Sequence, residues 1–81
     1  MTPAEFEFKF TIANNMFKEK HGEPVYVTVS TSNKDALLSD GIFYKDSNQY
    51  TRYKDLVVSW NVSLKDSIEL SGSMGRPRIK F

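Results

Sequence analysis

Apolar and polar residues alternate with a period of two along much of this chain. From Leu56 to Leu64 every even position is apolar (Leu56, Val58, Trp60, Val62, Leu64), with Val57, Ser59, Asn61 and Ser63 between them. Neighbouring side chains on a strand point to opposite faces, so the pattern predicts a strand with one buried face. Near the start, Phe6, Phe8, Phe10 and Ile12 alternate with Glu5, Glu7, Lys9 and Thr11. This predicts a first strand with a charged outer face, entered through Pro3. Val25, Val27 and Val29 against Tyr26, Thr28 and Ser30 predict another strand over residues 25–31. Ile42 to Lys45 reads as a short strand, and Asp46-Ser47-Asn48 as a turn, because these side chains bond nearby backbone. The next strand starts near Gln49 or Tyr50 and runs to Leu64, with a break or bulge at Lys54-Asp55. Lys65-Asp66 reads as a turn and Ser67 to Ser71 as the partner strand, so residues 56–71 are expected to form a hairpin.

Two short segments carry helical signals. Asn14 or Asn15 can cap a turn of helix through His21, with Met16, Phe17 and Lys20 at helical spacing and Gly22 as a stop. Ser32-Asn33 can cap a second through Leu38, ended by Asp40-Gly41. Ser71-Gly72-Ser73 and Gly75 break the chain, and residues 76–81 are either a closing edge strand or a flexible tail. Most links are too short for the crossover that parallel strands require. The expected fold is therefore α+β, mainly β: a small single domain spanning residues 1–81, with an antiparallel sheet of about five strands and one or two short helices.

Composition narrows the chemistry. The chain has 81 residues, no cysteine and one histidine. Disulfides, cysteine-based zinc sites and thiol nucleophiles are thereby excluded. One histidine and no cysteine also argue against a transition-metal site. His21 sits where a helix ends, and interaction with the last carbonyls accounts for it without a catalytic role. The acidic residues fall on alternating outer faces or in turns, and no pair is placed for carboxylate chemistry. Gly72-Ser73-Met74-Gly75 lacks the Lys and Ser/Thr of a phosphate-binding loop. Asn61-Val62-Ser63 matches a glycosylation acceptor but lies inside a predicted strand with no secretory signal. No apolar run approaches the ~20 residues that span a bilayer. The expectation is a non-enzymatic, cytoplasmic protein without cofactor or metal.

Charge is uneven. Residues 1–70 hold eight Lys/Arg against ten Asp/Glu, whereas residues 71–81 hold Arg76, Arg78 and Lys80 and no acid. Within that basic end, Gly75-Arg76-Pro77-Arg78 is similar to the core of an AT-hook, whose extended backbone lays Arg side chains in a narrow minor groove. The likeness covers four residues, and Met74 stands where the hook carries a basic residue. The alternation of Ile79 and Phe81 instead favours a turn leading into an edge strand whose charges protect it. A second cluster, Tyr44-Lys45 with Tyr50-Thr51-Arg52-Tyr53-Lys54, combines aromatic and cationic residues. Tyr44 and Tyr50 are expected as cross-strand neighbours that support the sheet. Tyr and Arg are also the residue types that dominate protein interfaces.

Three functions follow in order of expectation. The first is a small binding protein that docks a protein partner through Tyr44, Tyr50, Arg52 and Tyr53, aided by Arg76, Arg78 and an open strand edge, either the first strand or the Ile79–Phe81 segment. Small size, absent catalytic groups and strand-rich patterning are gross features shared with many accessory proteins, including phage or mobile-element proteins that inhibit a host factor. The second is nucleic-acid binding through Arg52, Lys54, Arg76, Arg78 and Lys80. The third is a structural subunit that self-associates in a larger assembly.

Overall fold

The structure, a computed structural model, describes all residues from 1 to 81. It begins with a long helix, not a strand. Helix α1 spans Pro3–His21. Thr2 caps it: its hydroxyl accepts from the Glu5 amide at 3.1 Å, while the Glu5 carboxylate accepts from the Thr2 amide at 3.3 Å. This reciprocal pair satisfies two orphan donors, and Pro3 suits the first helical turn because it lacks the N–H that would otherwise go unbonded there. Lys18, Lys20 and His21 occupy the last turn, and Gly22 ends the helix at φ 78°. The helix buries Phe6, Phe10, Ala13 and Phe17, spaced four, three and four residues apart. That stripe is helical, and it runs through both the expected first strand and the expected helical turn after it. Phe8, which the alternation placed beside Phe6 and Phe10, is 67% exposed on the opposite side.

Six strands follow: β1 (Tyr26–Val29), β2 (Tyr44–Lys45), β3 (Thr51–Tyr53), β4 (Leu56–Trp60), β5 (Ile68–Ser71) and β6 (Arg78–Lys80). Between β1 and β2, a 3-10 turn at Thr31–Asn33 leads into a short helix, α2 (Lys34–Ser39), close to the segment that Ser32-Asn33 announced. The six strands form one sheet in the order β2-β3-β4-β1-β5-β6. The α+β class stands. The sheet is mixed rather than wholly antiparallel, because β1 pairs with β4 in parallel while every other pairing is antiparallel.

The expected hairpin over residues 56–71 does not form. β4 and β5 lie on either side of β1, in register with its Val27 and Val29. The chain leaves β4 after Trp60, where Asn61 caps a 3-10 turn (Val62–Leu64) by accepting from the Ser63 amide at 3.0 Å. It then crosses the end of β1 before entering β5. Asn33, itself buried, donates to the Lys65 carbonyl at 3.0 Å, and Lys9 bonds the Asp66 carbonyl, so the crossing is held to α1 and to the 3-10 turn that leads into α2. The alternation beyond Trp60 is therefore not a strand: Leu64 is buried but Val62 is 70% exposed. The hairpin lies instead at Tyr53–Leu56, where the chain does break at Lys54-Asp55, as a tight turn and not a bulge.

One core unites the molecule. Val27, Val29, Leu56, Val58, Ile68 and Leu70 from the sheet meet Phe6, Phe10, Ala13 and Phe17 of α1 and Leu37 of α2. Phe43 and Tyr53 complete an aromatic cluster, with Tyr53 edge-on to Phe6 and Phe10 at 4.8 Å. Trp60 is half-buried at the rim, with its ring 5.8 Å from Phe43 and Lys34 above it. Because both helices feed the same core, they cover the same face of the sheet. The other face carries no helix.

Candidate functional site: the uncovered face of the sheet

Paired residues on adjacent strands point to the same side of a sheet, so the strand registers list what the uncovered face presents. One row crosses all six strands: Tyr44, Arg52, Val57, Tyr26, Ser71 and Arg78. A second row of four comprises Ser59, Thr28, Glu69 and Lys80. Tyr26 and Thr28 stand at the middle of the face because their strand, β1, is central. The Val27/Val29 side of that strand is the side that packs, which forces its polar partners outward.

A groove of about 900 Å³ lies over the half of the face between β4 and β6. Its floor includes Tyr26, Thr28, Ser59, Glu69 and Ser71. The loop after β4 raises Asn61 and Val62 on one side, and the turn before β6 raises Ser73, Met74 and Gly75 on the other. Met74 is 86% exposed, so both rims carry apolar side chains in water above a polar floor. The turn is built on Gly72 and Gly75, linked by a Gly75 amide to Gly72 carbonyl bond of 2.9 Å. Gly75 has φ 72°, and a Cβ at Gly72 would lie 2.6 Å from the Arg76 carbonyl oxygen. Both positions require glycine, for different reasons.

The ionic groups on this face are offset by local partners. Arg52 donates through Nε to Asp46 at 2.8 Å and through a terminal nitrogen to the Asp55 carbonyl at 3.4 Å. Asp46 also accepts from the amides of Asn48 and Tyr50, which builds the β2–β3 turn. The Arg52 bond, followed by these amides and the Arg52 charge, holds the Asp46 carboxyl below the ordinary carboxylate value against the opposing effect of burial. Arg78 donates to the Gly75 carbonyl at 2.8 Å and lies 3.9 Å from Glu69. Lys80 is the direct cross-strand neighbour of Glu69.

The expected site residues are therefore divided. Tyr44, Arg52, Arg78 and Lys80 share the uncovered face. Tyr44 is 48% exposed and opposes Arg52 rather than Tyr50. Tyr50 is 57% exposed at the end of the β2–β3 turn. Tyr53 is not a surface residue: it is 3% exposed inside the aromatic core, its hydroxyl donating to Glu7 at 3.3 Å. Strand parity is the reason, since Tyr53 opposes Leu56 while Arg52 beside it opposes Val57. Lys54 lies on the helix side, its ammonium 5.8 Å from the rings of Phe10 and Tyr53. The basic residues expected to act together on nucleic acid are thus split between two faces. Arg76 is exposed in the turn, and the AT-hook-like residues lead into an edge strand paired with β5.

Tyr26, Thr28, Ser59 and Glu69 were not picked out as a site in the sequence. The available signal is the polar half of the β1 alternation, Tyr26 and Thr28 between the valines. His21 closes α1 with its ring 5.2 Å from Phe17, as a helix-end residue. No group of three His, Cys, Asp or Glu side chains converges as a metal set, and no helix is long and apolar enough to cross a membrane. Comparison with known proteins returns no matching family model, curated protein or solved structure.

Proposed function

We propose that the chain is a binding module that docks a protein partner on the uncovered face of its sheet. The observation that carries this reading is the segregation of both helices to one side, which leaves a six-strand row without a helix over it, buried only at Ser71, and a groove with apolar rims open to solvent. Tyr and Arg are prominent there, at Tyr26, Tyr44, Arg52 and Arg78, and these residue types carry disproportionate energy at interfaces. The groove floor is rich in hydroxyl groups from Thr28 and Ser59, which suits hydrogen bonding to polypeptide. Exposed Val62 and Met74 supply apolar contact at its edges, where a docked partner excludes water.

The test is affinity capture from the native host with three immobilised chains of confirmed fold: wild type, Tyr26→Ala/Met74→Ala, and the helix-side control Phe8→Ala. The expected result is a partner retained by wild type and Phe8→Ala and lost by the double variant. Identical capture by all three chains removes the uncovered face as the docking surface.

A second reading rests on Tyr44 and Tyr26 lying in one row with Arg52 and Arg78, a layout on which single-stranded bases can stack. The pairing of Arg52 with Asp46 and of Arg78 with Glu69 weakens its electrostatic basis. Nuclease treatment of the captured material separates the two readings.

A further inference from the structure

Both edge strands of the sheet leave backbone groups unpaired, and β6, with three residues against two in β2, is the longer of them. Ile68 and Phe81 exchange both backbone bonds at 2.8 Å, and Gly72 donates to the Pro77 carbonyl at 3.2 Å. Hydrogen-bonded pairs alternate along an antiparallel ladder, so Leu70 and Ile79 form the bonded pair between them. The N–H and C=O groups of Ile79 and Phe81 therefore point inward to β5. Those of Arg78 and Lys80 point outward, away from the sheet. A strand added at this edge would bond to Arg78 and Lys80, and its residues opposite them would lie on the same face as their side chains.

The side chains at those two positions select what can pair. Both are exposed cations, and Arg76 adds a third beside them. Glu69 is the cross-strand carboxylate that both meet, 3.9 Å from Arg78, so one acid is shared between two cations while Arg76 has no carboxylate within ion-pair distance. A second copy of β6 is a poor match. Antiparallel pairing through the outward groups would set Arg78 against Lys80 of the other copy, or in shifted registers Arg78 against Arg78 or Lys80 against Lys80. Every such register opposes cation to cation, and like charges directly opposite destabilise a strand pair. An incoming strand with Glu or Asp at the two facing positions reverses the sign of both contacts.

We infer that β6 is a docking edge for an extended acidic segment, carrying carboxylates at alternate positions, that adds to the sheet as a seventh strand. This rests on the protein-binding reading and names the chemistry of the partner.

The experiment uses two blocked synthetic peptides, Thr-Val-Glu-Val-Glu-Val-Thr and its counterpart with Lys in place of Glu. Amide exchange and chemical shifts are followed at Arg78 and Lys80 in the full chain. The acidic peptide is expected to slow exchange at these two amides and to bind about tenfold more tightly than the basic one, as two reversed cross-strand pairs imply. Arg78→Glu/Lys80→Glu is expected to invert the preference toward the basic peptide. Lys80→Pro removes one outward N–H without touching a β5 bond and is expected to weaken binding of the acidic peptide. Equal binding of both peptides, absence of protection at Arg78 and Lys80, or self-association through β6 in sedimentation would each overturn the proposal. If the acidic peptide fails while the groove variant still loses its captured partner, the edge proposal falls and the uncovered-face reading stands.

Discussion

Tyr53 shows how much one position of parity decides. Arg52 and Tyr53 are neighbours in sequence, yet one faces water and the other lies among Phe6, Phe10 and Phe43. Burial, followed by the Glu7 charge and the hydrogen bond to it, pushes the Tyr53 phenol up to about 12 from its ordinary 10.0. Between these values the folded chain keeps a proton that the unfolded chain releases, so stability falls as pH rises across that window. Below it, Tyr53 contributes no pH dependence. Urea denaturation of wild type and Tyr53→Phe as a function of pH measures this, and the wild type is expected to lose stability more steeply above pH 10, the ordinary value for the phenol. Phe6 and Phe8 provide a second contrast. On a strand both would face the core, but on α1 only Phe6 does. Phe6→Ala is expected to cost about 3–5 kcal/mol, while Phe8→Ala stays within about 0.5 kcal/mol. Equal losses in chemical denaturation would contradict the helix.

At the level of elements, β6 depends on the turn that delivers it. Gly72 is buried where β5 ends, and its amide bonds the Pro77 carbonyl across the ladder. A methyl group there meets backbone, which cannot swing aside as a flexible side chain can. Gly72→Ala is therefore expected to loosen β6 while leaving the pairing of β1 with β4 intact. Hydrogen exchange should quicken at the Phe81 amide, which bonds Ile68, and stay slow in β1. Uniform quickening across the sheet would mean that β6 and the central strands open as one unit. Helix α1 was missed although Thr2-Pro3-Ala4-Glu5 is a capping-box sequence with proline at the first helical position. The chance alternation of Phe6, Phe8, Phe10 and Ile12 outweighed it. The full stripe through Ala13 and Phe17 shows that a helical period fits a longer window than the strand period does.

Across the whole molecule, the distribution of charge bears on which partner the uncovered face takes. Its arginines are each met by a carboxylate, and Lys54 is on the other side. Duplex and single-stranded DNA are both expected to bind at low ionic strength at most, and to be released near physiological salt, because few cations are free to displace counterions. A gel shift at two salt concentrations checks this. Retention of single-stranded DNA at the higher salt would favour base stacking on Tyr26 and Tyr44.

The alternation along the chain determined much that survives in the fold. It predicted β1, the Leu56–Trp60 strand and the inward direction of Ile68 and Leu70, and turn chemistry predicted the Asp46–Asn48 turn, because all of these depend on side chains next to one another in sequence. At the basic end it left a closing strand and a flexible tail both open, and the structure has the strand, β6. Periodicity says which way a side chain points but not which strand lies beside it. Only the tertiary structure decided that β1 enters between β4 and β5, where its two valines are flanked by apolar side chains on both sides. The same choice placed Tyr26 and Thr28 at the centre of the open face and left Arg78 and Lys80 with outward backbone groups. Strand order follows from burial summed over the whole sheet, a long-range quantity that no local run of residues contains.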